Sequence, residues 1–232
     1  KQIKEQDFNS PAPLDMTNIS INYDTAWLLD YWKTGKVGDV FLQNVRQALR
    51  TAEPGFSFNF FDDEQDTLRN ACTEVVSSDS HDCCNLASIN LGRVESQSEF
   101  RDIVELGIKF LMCGTLRAHL PYEAVYKTRE KNRRLGLGLM GIHEWLIKRG
   151  SKYEVTPELH RWLSIYKKQA DKTAKEYADE LSISRPVANR AIAPTGSIGI
   201  LAGTTTGVEP LFAVAYKRRY LTQGTRWKYQ YV

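Results

Sequence analysis

Two long stretches with apolar residues at helical spacing, set among short apolar runs, constrain this chain more than any other feature. Between residues 157 and 182, Leu159, Trp162, Leu163, Tyr166, Ala170, Ala174, Tyr177 and Leu181 follow a 3.6-residue repeat, and Pro157 suits the first helical position. From Ser98 to about His119, Phe100, Ile103, Val104, Gly107, Phe110 and Leu111 repeat the pattern. Short strand candidates lie around these helices at Asn18–Ile21, Phe56–Phe60, Cys84–Leu91 and Arg190–Ala193. An amphipathic helix must bury its stripe against another layer, and strands joined through long helices pair in parallel. The pattern therefore predicts an α/β protein with a largely parallel sheet.

The remaining segments fit that frame. Pro11 and Pro13 make residues 1–22 largely irregular. Asp24 caps a helix to about Lys33, with Ala26, Trp27, Leu29 and Tyr31 partly buried, and a second helix runs from about Asp39 to Ala52. Residues 62–83 are polar and aperiodic. Pro121 starts a further helix, and Leu135–Gly150 is a glycine-rich opening followed by a helix through His143, Trp145 and Leu146. A Pro-Thr-Gly-Ser turn then opens a compact apolar helix that ends at Gly203.

Composition excludes several classes. A net charge of +3 is too small to demand a polyanion partner, so no direct nucleic-acid binding is expected. The basic clusters 127–134 and 217–219 suit a solvated face, a subunit contact or a phosphate site equally. No apolar run approaches the roughly 18 residues of a membrane span, and the first residues lack a signal-peptide core. Four cysteines, two of them adjacent, make no disulfide framework, which suits a reducing, cytoplasmic compartment. Without a C-x-x-C, and with scattered histidines, no metal site is expected. Cys113 reads as a small buried hydrophobe. The non-Met start and the strand-like ending Lys228–Val232 suggest a piece of a larger protein.

Three motifs bear on chemistry. Gly136-Leu-Gly-Leu-Met-Gly141 matches G-x-G-x-x-G, with Glu158 where a ribose-binding acid would stand. Charged residues precede it where a buried strand is required, so the glycines read as allowing the next helix to pack closely. Asn70-Ala-Cys-Thr-Glu74 places an amide, a thiol and a carboxylate at alternate positions, on one side if the segment is extended. On these residues alone, a polar surface loop is the favoured reading. Pro194-Thr-Gly-Ser-Ile198 is either an ordinary helix cap or an anion cradle of backbone N–H groups.

Taken in order, Asn70–Glu74, Cys84-Asn-Leu-Ala-Ser-Ile-Asn-Leu-Gly92, Arg133–Gly141, Ala193–Gly199 and Gly207-Val-Glu-Pro210 resemble ribonucleotide reductase catalytic (large) subunits. The resemblance spans roughly residues 16–232. It implies a ten-stranded α/β barrel of two five-stranded parallel halves, with a finger loop carrying a radical cysteine. Residues 1–232 would be a C-terminal portion, mainly the second half, incomplete at both ends. By the same resemblance, Cys72 carries the thiyl radical that removes the ribose 3′-hydrogen, Glu74 is the general base and Asn70 orients the ribose. Cys84 is one of two reducing cysteines, its partner lying upstream, and Cys83 is a bystander. Pro194, Thr195, Gly196, Ser197 and Ile198 cradle the substrate's phosphates. The short interval from Cys72 to Cys84 resembles the adenosylcobalamin-dependent class II. Asn-Ala-Cys-Thr-Glu nevertheless departs from that class's frequent Asn-Pro-Cys-Gly-Glu, which keeps a radical from a diiron or dimanganese small subunit as the alternative. The implied partners are a ribonucleotide, the N-terminal remainder of the subunit and a thioredoxin- or glutaredoxin-type reductant. A non-catalytic remnant or assembly module is a rival reading, and a dinucleotide-dependent oxidoreductase a third.

Overall fold

The computed structural model describes residues 17–60, 68–222 and 226–231. The chain divides into two compact units, Lys1–Ser78 with Tyr216–Val232, and Asp79–Ala215. Pro11 and Pro13 lie outside the described residues.

In the first unit, strand β1 (Ser20–Asp24) leads through helices α1 (Thr25–Thr34) and α2 (Gly38–Thr51) to β2 (Gly55–Asn59). The strands pair in parallel from Ser20 opposite Gly55 to Asp24 opposite Asn59, as a helical crossover requires. Asp24 caps α1 by accepting from the Trp27 N–H at 2.9 Å. Alternation gives the pair two unlike faces. Tyr23 is buried against the rings of Trp27 and Phe41, centroids 5.0 and 5.3 Å away, and against Phe56 and Phe58. Ser20, Asn22, Ser57 and Asn59 alternate with these residues and form a polar face. Burial along α1 is slighter than its pattern predicts. Trp27 and Leu28 are half-buried, whereas Ala26, Leu29 and Tyr31 are exposed. A short antiparallel hairpin follows, β3 (Leu68–Arg69) and β4 (Val76–Ser77). A second hairpin joins β7 (Lys217–Thr222) to β8 (Arg226–Tyr231).

The second unit holds the main core. Strand β5 (Asn85–Asn90) passes through helices α3 (Gln97–Arg117) and α4 (Glu123–Asn132) to β6 (Leu135–Met140) and pairs with it in parallel. On the far side of β6 runs residues 188–191, bonded through Leu135 N–H to Ala188 O and Ala191 N–H to Leu137 O. The expected strand at Arg190–Ala193 is thus a single parallel bridge, Leu137 to Arg190. Helices α5 (Ile142–Lys148), α6 (Pro157–Glu180) and α7 (Gly196–Ala202) complete the unit. Ser96 and Glu99 form a capping box at the start of α3, and Thr156 caps α6 ahead of Pro157. Phe100, Val104, Ile108 and Met112 of α3 meet Leu159, Trp162, Tyr166 and Ala170 of α6 in one buried cluster. Burying each large side chain contributes about 1.5–3 kcal/mol, so the two stripes dominate this unit's stability.

Three sequence expectations need correction. Leu135–Met140 is a fully buried strand, and its glycines serve the sheet as well as the approach to α5. A Cβ on Gly136 would lie 2.4 Å from Leu86 Cδ2, and one on Gly138 would lie 2.5 Å from the Ala191 carbonyl oxygen. Phe110 is 72% exposed, because the buried face of α3 runs through Ile108, Leu111 and Met112 instead. Cys113 is exposed, its sulfur 3.5 Å from the Tyr177 hydroxyl. No described helix is long and apolar enough to cross a membrane.

Candidate active site

Within the first unit, Asn70, Cys72 and Glu74 lie in the connection between β3 and β4. The segment is a closed turn, not the extended run assumed from alternate spacing. Asn70 N–H donates to Val75 O at 3.3 Å, Thr73 N–H donates to Asn70 O at 3.0 Å, and Val75 N–H donates to Asn70 Oδ1 at 3.1 Å. The Asn70 carbonyl oxygen is therefore engaged in closing the loop, and its amide NH2 is the group that can face a ligand. Cys72 is an exposed thiol in this turn. The carboxylate oxygen Oε2 of Glu74 is buried with no hydrogen-bond partner among the described residues, a costly state for a charged group and one a ligand donor would relieve. Thr73 adopts φ +64°, which is strained for a β-branched residue.

Beside the hairpin, a cavity of about 280 Å³ lies on the polar face of the β1–β2 pair. Asn18, Ser20, Asn22, Ser57, Asn59, Arg69 and Thr73 line it with amides, hydroxyls and one guanidinium, and Phe56 and Leu68 add apolar surface. The amides and hydroxyls of this lining can meet the hydroxyls of a ligand.

In the second unit, Cys84 stands just before β5, half-buried, its sulfur 3.8 Å from Asn85 O. A Cβ on Gly136 would come within 2.9 Å of that sulfur, so the strand glycine makes room for the thiol. Burial pushes the neighbouring Cys83 thiol up from its ordinary range, and the Asp82 carboxylate adds to the effect. A thiol held protonated is a poor nucleophile, which fits a bystander. Asp82 fixes the approach to both cysteines. Its Oδ1 accepts from Cys83 N–H at 2.9 Å, and its Oδ2 accepts from Asn132 Nδ2 and Arg134 Nε, each at 2.9 Å.

Pro194–Ile198 also lies in this unit and opens α7. Thr195 is buried at φ +51°, and its hydroxyl accepts from Gly207 N–H at 2.7 Å, so this side chain braces the neighbouring loop. The N–H of Gly199 is taken by Thr195 O at 2.7 Å, which leaves those of Gly196, Ser197 and Ile198 at the open end of the helix. These three residues are exposed. A Cβ on Gly196 would meet nothing within 4 Å, and its φ is not in the left-handed region. The fold does not demand glycine here. A ligand approaching the backbone would.

The other motifs are absorbed structurally. Glu158 accepts from Arg149 Nε at 3.0 Å, and the Arg149 guanidinium stacks 3.7 Å over the Trp145 ring, so no ribose-binding acid stands there. In the 127–134 cluster, buried Arg129 donates to Thr115 O and Ala118 O at the end of α3. Lys127 pairs with Glu123, Lys131 with Asp79 and Arg134 with Asp82. Lys217 and Arg219 lie over the rings of Tyr229 and Trp227 in the β7–β8 hairpin. Sequence reasoning missed Arg69, directly before Asn70, and Asp82, two residues before Cys84.

A family model described as the ribonucleotide reductase barrel domain matches residues 31–180. A protein of Mycobacterium phage D29, named as an adenosylcobalamin-dependent ribonucleoside-triphosphate reductase, is 29% identical over 223 residues, covering 88% of this chain and 32% of its own length. A vitamin B12-dependent ribonucleoside-diphosphate reductase of Thermoplasma acidophilum is 26% identical over 218 residues, covering 80% and 28%. A crystal structure of a B-12 dependent (class II) ribonucleotide reductase superimposes with a TM-score of 0.62 at 18% identity, covering 88% of this chain and 32% of the other. That match speaks for the fold, part of an α/β barrel. The chain spans about a third or less of the length of these relatives.

Proposed function

This chain belongs to the ribonucleotide reductase barrel-domain family, and from that premise we propose that it is a portion of a catalytic subunit that reduces ribonucleoside di- or triphosphates to 2′-deoxyribonucleotides. The observation that carries the reading is the hairpin turn that presents Cys72 as an exposed thiol between Asn70 and Glu74. A thiyl radical at Cys72 removes the 3′-hydrogen of the ribose, while Glu74 takes the 3′-hydroxyl proton and the Asn70 amide holds the sugar in register. The uncommitted Glu74 Oε2 is in keeping with a base that finds its partner in the substrate. Loss of the 2′-hydroxyl as water then requires two electrons. Cys84 and a second cysteine from the N-terminal remainder supply them as a dithiol and end as a disulfide, which a thioredoxin- or glutaredoxin-type reductant restores. The hydrogen returns from Cys72 to C3′, regenerating the radical.

The free N–H groups of Gly196, Ser197 and Ile198 are suited to the substrate's phosphates. We take the radical source to be adenosylcobalamin, after the names of the relatives. That group supplies, when bound, the one-electron oxidation of a thiol. Cys72, exposed and outside any disulfide, has the chemistry to receive it. A diiron or dimanganese small subunit is the alternative source. A cytoplasmic location is in keeping with a dithiol that must be re-reduced after each turnover.

Replacing Cys72 with Ser in the complete catalytic subunit should abolish deoxynucleotide formation while ribonucleotide affinity stays within a few-fold. Turnover by that variant would leave the chain as a fold-keeping assembly module.

A further inference from the structure

The Cys72 hairpin is too small to hold itself in place. Its strands contribute two residue pairs, Leu68 with Ser77 and Arg69 with Val76, and a two-stranded ribbon of that length has little independent stability. Its turn is closed internally through Asn70, so those bonds fix the turn's shape but not its position over the sheet. Arg69 ties the hairpin to the sheet. Its Nη1 donates to Ser57 Oγ at 2.6 Å and its Nη2 to Phe58 O at 2.7 Å, both acceptors on consecutive residues of β2.

Two donors of one planar guanidinium on two neighbouring acceptors fix a rotation as well as a distance, which a lysine ammonium cannot do. Ser57 is buried on the polar face of β2, and Arg69 and Ser57 both line the cavity beside the turn. Cys72 follows three residues after Arg69.

We infer that Arg69 is the positioning residue for the radical cysteine: its fork on Ser57 Oγ and Phe58 O sets where the turn that carries Cys72 stands beside the cavity. The inference rests on the proposed role of Cys72. Arg69 touches no reacting atom in this account. It acts through the hairpin, so its loss should lower the rate of the hydrogen-transfer step while substrate affinity is nearly kept.

The experiment uses the complete catalytic subunit with its radical source and reductant. Arg69→Ala, Arg69→Lys, Ser57→Ala and the Arg69→Ala/Ser57→Ala double variant are compared in kcat, KM, thermal midpoint and the rate of Cys72 alkylation by iodoacetamide, read on the isolated peptide. A misplacement near 1 Å costs catalysis on the order of 100-fold, so Arg69→Ala should lose about 10- to 100-fold in kcat with KM within about threefold. Alkylation of Cys72 should change in rate, since the thiol leaves its fixed surroundings. Arg69→Lys should recover only part of kcat. The double variant should fall no further than Arg69→Ala, because Ser57 then has nothing left to hold. Should Arg69→Ala not fold, Arg69→Lys and Ser57→Ala carry the same split between kcat and KM. Unchanged kcat and unchanged alkylation in Arg69→Lys and Ser57→Ala, or fully additive losses in the double variant, would overturn the inference. Cys72→Ser, run in parallel, separates the two claims. If it stays active, the radical role fails, and the alkylation rates still report whether Arg69 positions the turn.

Discussion

Removing the Asp82 carboxylate should destabilise the second unit by about 3 kcal/mol, the lower end of the cost of stranding one partner of a buried ion pair. The side chains of Asp82 and Arg134 are 6% and 14% exposed, so water can replace little of what Arg134 loses. Asn132 is not stranded, since its Nδ2 also donates to Asp79 Oδ2 at 2.9 Å. The penalty therefore falls on Arg134 and on the Cys83 N–H, which loses Asp82 Oδ1. In Asp82→Ala, 3 kcal/mol corresponds to a drop of about 6–12 °C in thermal midpoint for a unit of this size. Urea denaturation of Asp82→Ala, Arg134→Ala and the double variant gives the coupling directly. We expect at least about 1 kcal/mol between the two sites, the range seen for residues in one network. Asp82→Ala should also speed alkylation of Cys84, because the segment before β5 is no longer held to Asn132 and Arg134. A loss below about 1 kcal/mol, or additive single effects, would refute the claim that this pair fixes the approach to the cysteines.

Gly196→Ala should not lower the thermal midpoint, since a Cβ there meets nothing within 4 Å and the unfolded chain loses freedom, yet it should weaken ribonucleotide binding without weakening binding of the free nucleoside. Equal loss for both ligands in equilibrium binding would remove phosphate from this turn. Thr73→Gly should keep turnover and raise stability slightly, because relief of about 1–2 kcal/mol of left-handed strain at φ +64° exceeds the added chain entropy of about 0.5–1 kcal/mol. Thr73→Pro should abolish turnover, since proline cannot reach that φ and removes the N–H bonded to Asn70 O. Acid should weaken the second unit through Glu144. Burial would raise its carboxyl, but the hydrogen bonds from Lys148 and Thr204 prevail and hold it below the usual range. A depressed carboxylate contributes its stability above the unfolded value, near 4.3, and loses it as pH falls through the lower folded value. Glu144→Gln should therefore flatten the acid limb of a stability-against-pH curve in that window.

The parallel pairs and long helices were legible because burial imposes a period on the sequence. Leu159, Trp162, Tyr166, Ala170 and Ala174 fall on the buried face of α6 as their spacing predicts. Leu135–Met140 was illegible as a strand for a physical reason: its core contacts demand glycine at alternate positions, which erases the β-branched signature that a buried strand normally carries. Phe110 deceived in the opposite way, since an apolar side chain at helical spacing need not face this unit's core. At the candidate site, the motif order gave the residue types. The turn that closes on Asn70 and the fork of Arg69 depend on contacts across the first unit that no local pattern encodes.

Cys72 and the Glu74 Oε2 stand out from most of the polar inventory in remaining uncommitted. In the basic run 127–134, which composition alone could offer as a phosphate site, four of the five cations are engaged, Lys127, Arg129, Lys131 and Arg134 with Glu123, the end of α3, Asp79 and Asp82, while the Arg133 Nε is buried with no partner among the described residues. A cation already neutralised must break a pair before it can take a phosphate, whereas the open N–H groups of α7 need break nothing. The same criterion separates the cysteines. Cys83 sits where burial and Asp82 disfavour its thiolate, and Cys113 contacts Tyr177, while Cys72 stands exposed in a turn whose bonds involve only its neighbours. In this chain Asn70 and Arg69 hold the turn that carries Cys72, and Asp82 holds the segment before Cys84 through the Cys83 N–H.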